Sequence, residues 1–495
     1  MTPAEKSARL IFPGFKFGTD NPQDAERLVE LGVGGFCVYY GGSPAEIAAF
    51  TQRLQSLASH PLIFCADYEE GLASQCAGTT HLPTNMGLGA SGSEALAYQK
   101  GAVTALEARS IGVRWVLAPV CDLATTASNP IVNIRAFSSE PDEVIRLGRA
   151  YLKGLRSEGV LGCLKHFPGH GETKKDSHLE LPLLTVPKAT LEKRELRPFQ
   201  ALAEEAGSIM TGHLCVPPLV GDRKTPYSLS ADVGRTLRSR MGFQGLVTTD
   251  ALNMGAIAKR MSDVEAAAMA LRGGSDILLV PDKPRELARD LAEVVAADEE
   301  LSRAVSAALE RLERACSWIQ GGPEPANIDV VGSARHREIA QRMAESCLAW
   351  SKAEMPPLPS KIRYWELEAD RPEEWMGQAF VSQLRALGRD VAPFAPEGSK
   401  GGEETLVIGC FLNPRAFTGR IEYSAAEKAQ LRKVLGRKGL SATLVSFGSP
   451  FVFGALKTHG LCAFSRSEPA QKAAASALCG KLEVKGRMPV DRRYS

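Results

Sequence analysis

The chain has 495 residues, 44% hydrophobic and 23% charged, with 59 Lys and Arg against 57 Asp and Glu for a formal net charge of +2. That length exceeds one ordinary core, so two domains are expected. The dispersed, nearly balanced charge removes any electrostatic case for a nucleic-acid or anionic-membrane partner. No stretch approaches the roughly 18 continuous apolar residues of a membrane helix. The N-terminus has neither the apolar core nor the small-residue cleavage site of a secretion signal. The 11 cysteines are scattered singly, several inside apolar runs (Cys37, Cys65, Cys163 and Cys410), with no CxxC pair. Buried free thiols and a cytoplasmic location are the expectation.

In chain order, apolar strand-like runs fall at 10–12, 35–40, 62–66, 115–120, 160–164, 208–211, 246–249 and 276–280. Helical segments lie between them, among them 44–58, 94–111, 141–157 and 191–206. Eight strands alternating with helices predict an α/β architecture, a (β/α)8 barrel, with a doubly wound sheet as the alternative. A helix over 303–319 is followed by the Gly/Pro-rich string GGPEPANIDV, a candidate linker. The remainder alternates again, with helices at 336–349, 374–387, 425–435 and 469–478 and strands at 405–410 and 442–447. The expected organisation is a barrel over 1–320, a linker over 321–335 and a smaller α/β sandwich over 336–495.

Polar residues recur where the strands end. Asp67 follows LIFCA, Asp122 follows VLAPVC, Lys165 and His166 follow LGCL, His213 follows SIMTG, and Asp250 follows GLVTT. In a barrel all of these converge on the C-terminal face, where catalytic groups sit. Beyond Lys165 the string KHFPGHGETKKDSH packs three histidines, a glutamate and an aspartate into one Gly/Pro-punctuated loop.

Each of these residues has a plainer explanation beside the chemical one. Asp250 is a candidate nucleophile, or an N-cap of the helix opened by ALNMGAI. Asp176 and His178 form an Asp-x-His pair in which the carboxylate orients a ring suited to proton transfer near neutrality; the plainer option is a solvated loop. Lys165, His166 and His213 suit a polar ligand with several hydroxyls, although a buried ion pair at the barrel mouth would also use Lys165 and His166. Asp67 offers a carboxylate for two adjacent hydroxyls or merely caps its loop. Arg135 presents a planar fork for a ligand, or makes a structural salt bridge. A carboxylate facing a proton donor is the pair that glycosidic cleavage requires. The spacing of His166, His170 and His178 with Glu172 and Asp176 matches neither HExxH nor a zinc finger, and Pro168 and Gly169 break the helix such motifs need. No Walker or GxGxxG string stands in strand–loop–helix context. No metal and no organic cofactor is expected.

The string KHFPGHGETKKDSH (165–178) resembles the signature loop of family 3 glycoside hydrolases, in the β-N-acetylglucosaminidase branch. LAPVCDLATTASNPIVNIRAFSSEP (117–141), MTGHLCVPPL (210–219) with PYSLS (226–230), and LVTTDALNMGAI (246–257) are similar to further segments of that family in the same order. SFGSPF (446–451) and GRMPVD (486–491) resemble parts of its C-terminal α/β sandwich more loosely. The resemblance implies that Asp250 is the nucleophile, His178 the acid/base and Asp176 its partner. It also implies that Asp67, Arg135, Lys165, His166 and His213 line the sugar subsite. The implied substrate is a terminal N-acetylglucosaminide, such as that of cell-wall muropeptides, handled by a monomer or homodimer. β-Glucosidase or phosphorylase activity within the family, a catalytically silent sugar-binding protein and a zinc hydrolase are the rival readings. The chain departs from the family string D-x-E-G-G-R, reading DYEEGLASQ, with Glu70 and Leu72 at the glycine and arginine positions. It also carries a second domain, which the short cytoplasmic members of that branch usually lack.

Overall fold

The computed structural model describes residues 1–368, 372–396, 404–412 and 422–490. The first part of the chain contributes β1 (Ile11–Phe12), β2 (Gly14–Lys16), β3 (Gly35–Tyr39), β4 (Ile63–Ala66), β5 (Trp115–Val116), β6 (Leu161–Phe167), β7 (Ser208–Thr211), β8 (Leu246–Thr249) and β9 (Leu278–Leu279). β2 to β8 form one parallel sheet in sequence order. β1 pairs in parallel with β9, and a bridge between Thr248 and Ile277 joins β9 to β8. β1 and β2 are one strand interrupted at Pro13, so the sheet closes on itself with eight strand positions. The result is a (β/α)8 barrel. β4, β6, β7 and β8 are buried along their whole length, as expected of strands covered on both faces.

The departures from expectation have local causes. The strand expected at 160–164 runs on to Phe167, so Lys165 and His166 sit inside it, with a register break between Leu164 and Phe167. The strand expected at 115–120 pairs regularly only at Trp115–Val116, because Pro119 has no N–H to extend the ladder. The helix expected at 191–206 is divided into a π-helical turn, Leu191–Glu195, and a short helix, Arg197–Leu202. Pro198 denies Arg194 its usual donor four residues on, and the turn widens there. β2 has no counterpart among the expected strands; three residues beside a proline leave little pattern to read.

The second sheet runs in the order β10 (Ala349–Trp350), β15 (Gly460–Cys462), β14 (Leu440–Ser446), β13 (Glu404–Cys410), β11 (Lys361–Glu366), β12 (Asp390–Pro393). It is parallel except for the β10–β15 pair. Helices Ala334–Ser346, Gln378–Ala386 and Glu468–Leu478 pack on one face around Ala344, Phe380, Leu384 and Ala474. Helices Ala425–Leu435 and Val452–Leu456 pack on the other. That second cluster also takes in Met86, Val132, Ile134 and Ala136 from the barrel side. Thr84 donates to the carbonyl of Phe464, Ser139 N and Ser138 Oγ to that of Pro489, and Arg487 N to that of Ala90. Asp491, the last residue of GRMPVD, lies outside the described residues.

Helices Glu94–Ser110 and Pro141–Ser157 touch at backbone distance. A Cβ at Gly101 would lie 2.2 Å from the Tyr151 carbonyl oxygen, and one at Gly154 2.2 Å from that of Tyr98. On the former helix Glu107 is fully buried and accepts from Thr80 Oγ1, from Gly332 N at 3.0 Å and from His336 Nδ1 at 2.8 Å. One carboxylate thereby fastens the segment that leads to the second sheet onto the barrel. Glu107→Ala is expected to cost about 3 kcal/mol, because it strands these donors and the Thr80 N–H, four in all. Thermal and denaturant unfolding of the variant check this.

Candidate active site

The parallel order of the barrel strands carries Asp67, Asp122, Lys165, His166, His213 and Asp250 to its downstream end. Lys165 Nζ lies 2.6 Å from Asp67 Oδ1 and 2.8 Å from Glu69 Oε1. Arg135, on the 3-10 turn Asn133–Arg135, grips Glu69 with both prongs, Nε to Oε2 at 2.9 Å and Nη2 to Oε1 at 2.8 Å. Burial opposes ionisation of Glu69, but Arg135 and Lys165 outweigh it and hold the carboxyl well below its ordinary value. Burial likewise works against the charge on Lys165 and Arg135. Asp67 and Glu69 for the lysine, and chiefly Glu69 for the arginine, keep both protonated. The Lys165 side chain is only 2% exposed, whereas those of Asp67 and Arg135 are 36% and 28% exposed, so these two members of the group open to solvent. Asn85 fixes the Arg135 backbone, donating to its carbonyl at 2.8 Å while accepting from the buried Lys100.

His166 stands beside this cluster. Its Nδ1–H donates to Asp122 Oδ2 at 2.7 Å, leaving Nε2 3.5 Å from Arg135 Nη2. Asp122 also accepts from the backbone N–H of His166 and, at 2.7 Å, from that of His170. Burial alone would raise the Asp122 carboxyl; His166 and the His170 amide hold it lower. His170 is pushed down to about 4, burial being the main cause, and is neutral at physiological pH. Its ring nitrogens meet the hydroxyls of Thr173 and Ser177, and the ring packs edge-on against that of His166.

Asp250 follows β8, with Oδ1 accepting from Ala251 N at 2.9 Å. Burial again opposes its ionisation, and the facing imidazoles of His166, His213 and His178 hold it below the ordinary carboxylate value. His213, expected to bind sugar, is otherwise engaged. Its Nδ1 is taken by Ser228 Oγ at 2.7 Å and its Nε2 by the Ala251 carbonyl at 3.0 Å. With both nitrogens used and no exposure, it braces the Asp250 turn and offers a ligand nothing.

The loop 165–178 ends against that same turn. Gly255 N donates to the His178 carbonyl at 3.0 Å and Ala256 N to that of Ser177 at 3.2 Å. A Cβ at Gly255 would lie 2.7 Å from the His178 carbonyl oxygen, so glycine is what allows the approach. Asp176, almost fully buried, accepts from His178 Nδ1 and from His178 N, each at 2.8 Å. That bond fixes the tautomer and turns Nε2 outward on a side chain 24% exposed.

Every residue singled out from sequence is thus at this end of the barrel. Asp122 stands among the strand-end residues with no role assigned to it, and Glu69 is absent from that set, although Glu69 pairs with Lys165 and Arg135 and Asp122 with His166. Their signals, the doubled acid in DYEEG and the strand end APVCD, are present in the sequence. Among the described residues no three His, Cys, Asp or Glu side chains are grouped to hold a metal ion. A separate cleft of about 240 Å³, lined by Arg156, Gly207, Gly245, Arg314 and Trp318, lies at the opposite end of β6, β7 and β8 and contains none of these groups.

A barrel with carboxylates, a lysine, an arginine and a carboxylate-held histidine at its downstream mouth is the framework of a glycoside-cleaving enzyme. Residues 4–315 match the Glycosyl hydrolase family 3 N terminal domain, and the chain belongs to that family. A β-N-acetylglucosaminidase/β-glucosidase from Cellulomonas fimi is 27% identical over 491 residues, 90% of this chain and 86% of that protein. The structure of a family 3 β-N-acetylglucosaminidase from Paenibacillus sp. FPU-7 superimposes with a TM-score of 0.85 at 25% identity, covering all of both chains. A β-glucoside phosphorylase shares the fold with a TM-score of 0.89 at 23% identity, covering 99% of this chain and 94% of that one. The protein is a glycoside hydrolase.

Gly255→Ala is expected to push the His178 loop off the Asp250 turn and lower kcat/KM on an aryl glycoside by about 10²-fold, since a displacement of about 1 Å suffices for that. Steady-state kinetics with a parallel melting curve separate this loss from unfolding.

Proposed function

We propose that the protein is a retaining exo-β-N-acetylglucosaminidase. The observation that carries the reading is the Asp176–His178 pair, hydrogen-bonded at 2.8 Å and stitched through Gly255 and Ala256 to the turn after Asp250. In this reading Asp250 attacks the anomeric carbon. The bond to the aglycone oxygen breaks, and His178 transfers its proton to that oxygen. Asp176 stabilises the ring while it is charged. Water, losing a proton to the same imidazole, then opens the glycosyl ester on Asp250, and the sugar leaves with its original anomeric configuration. Asp67, Lys165, Arg135 and His166 hold the ring hydroxyls. No metal or organic cofactor takes part.

Within this proposal the barrel over 1–320 is the catalytic unit, 321–335 the linker and 336–495 the second domain. The name of the Cellulomonas fimi relative supports the acetamido sugar without excluding glucose. The natural substrate we assign is the terminal N-acetylglucosamine of cell-wall muropeptides, met in the cytoplasm. The buried, unpaired state of all eleven cysteines supports a reducing compartment.

The first test sets an aryl β-N-acetylglucosaminide against the matching β-glucoside, with and without phosphate. Preference for the acetamido sugar with free sugar as product is expected. Preference for glucose, or a sugar 1-phosphate formed only with phosphate, overturns the assignment. Asp250→Asn is expected to lose more than about 10⁴-fold in kcat. His178→Ala is expected to lose about 10²–10⁴-fold on an alkyl glycoside but far less on a dinitrophenyl glycoside, whose leaving group needs no proton. Equal losses on both leaving groups would remove His178 from the acid role.

A further inference from the structure

Glu195 closes the π-helical turn and plays no part in the chemistry above. Its side chain is fully buried, Oε1 meets Arg194, and the buried Oε2 has no hydrogen-bond partner among the described residues. The same Arg194 Nη2 reaches Glu172 Oε1, in the loop 165–178, at 2.8 Å. Glu195 also packs against that loop directly: a Cβ on Gly169 would lie 3.0 Å from its Cβ and 3.4 Å from Oε2. One guanidinium is therefore shared by two carboxylates, one on the helix and one on the loop. The charged groups acting on Glu195 are Arg194 from its own turn, Glu172 from the loop and Asp122 from the segment after β5. Asp122 is itself matched by His166. Two acids against one cation, with Glu195 itself fully buried, leave a negative charge that is poorly compensated at Glu195, and a proton there removes it.

We propose that Arg194 is a proton-controlled clasp on the loop that carries His178, with Glu195 as its positioning residue. When Glu195 is protonated, the guanidinium holds Glu172 and keeps the loop seated. When Glu195 ionises, it draws Arg194 back to the helix and the hold on Glu172 weakens. Burial, and to a smaller degree Glu172 and Asp122, push the Glu195 carboxyl up to about 7 against the pull of Arg194, so the exchange falls in the physiological range. A folded-state value above the ordinary one means that folding favours the protonated form. Stability is then full below the unfolded value and falls as pH rises towards 7.

The proposal rests on the assignment of His178 only for its kinetic consequence, so the test has an arm that needs no activity. Hydrogen exchange of peptides spanning 169–178 is measured from pH 5.5 to 8.5 and corrected for intrinsic rates. Wild-type protection is expected to fall several-fold across pH 7, and to be flat in Glu195→Gln. Glu172→Gln, which removes the competing acid, is expected to move the midpoint to lower pH, and it decides the matter should Glu195→Gln not fold. On a dinitrophenyl N-acetylglucosaminide, whose leaving group needs no proton, kcat/KM is expected to fall more steeply through the exchange midpoint in the wild type than in Glu195→Gln. Wild-type loop exchange that does not change with pH, or a pH dependence of loop exchange that survives in Glu195→Gln, overturns the proposal. Failure to turn over any sugar leaves the exchange result to decide it alone.

Discussion

Glu69 is the residue on which the barrel mouth depends electrostatically. Two cations, Lys165 and Arg135, arrive there from different parts of the chain, one inside β6 and one on a 3-10 turn thirty residues upstream. Lys165 could not be buried, nor Arg135 half-buried, without an anion, and Glu69 serves both. An unpaired buried charge costs several kcal/mol, so the carboxylate decides where the amine and the guanidinium can rest. Asp67 supplies the second anion, 2.6 Å from Lys165 Nζ, and stays partly open to solvent.

The other half of the site is assembled by backbone rather than charge. The loop 165–178 is long and rich in glycine, and by itself would not hold an imidazole in one place. Asp122 takes the amides at its start, Asn129 donates to the carbonyls of His170 and Gly171, and the turn after Asp250 takes its end. Asp250 and His178 therefore keep their relation through the chain on which each is mounted. Side-chain packing between them need not supply it.

Much of this is legible in the amino-acid sequence. Buried strands ending in a single polar residue are an unusual pattern, and it places Asp67, Asp122, Lys165, His213 and Asp250 at one end of a barrel. What the residues alone do not disclose is the partner each polar group will find. Glu69 is two residues from Asp67 and looks equally acidic; only the folded chain shows that it takes the arginine while Asp67 stays half open. His213 misleads for the same reason, since nothing local reveals that Ser228 and the Ala251 carbonyl consume both its nitrogens. The π-helical turn before Pro198 is likewise hidden inside an ordinary helical pattern. Strands of two or three residues, such as β1, β2 and β9, owe their pairing to the closure of the sheet more than to their composition.

The second sheet meets the barrel through the segment that bears Arg135. Val132 and Ile134 flank Asn133 and lie in one apolar cluster with Trp365, Phe394, Leu406 and Phe464. The guanidinium thus points to the mouth from a backbone whose hydrophobic anchors belong to the other unit. A barrel deprived of that unit would present Met86, Val132, Ile134 and Ala136 to water as a continuous greasy face. In such a fragment the Arg135 turn would lose the floor it stands on. For this chain the two units share one apolar cluster, whatever the chemistry requires of each.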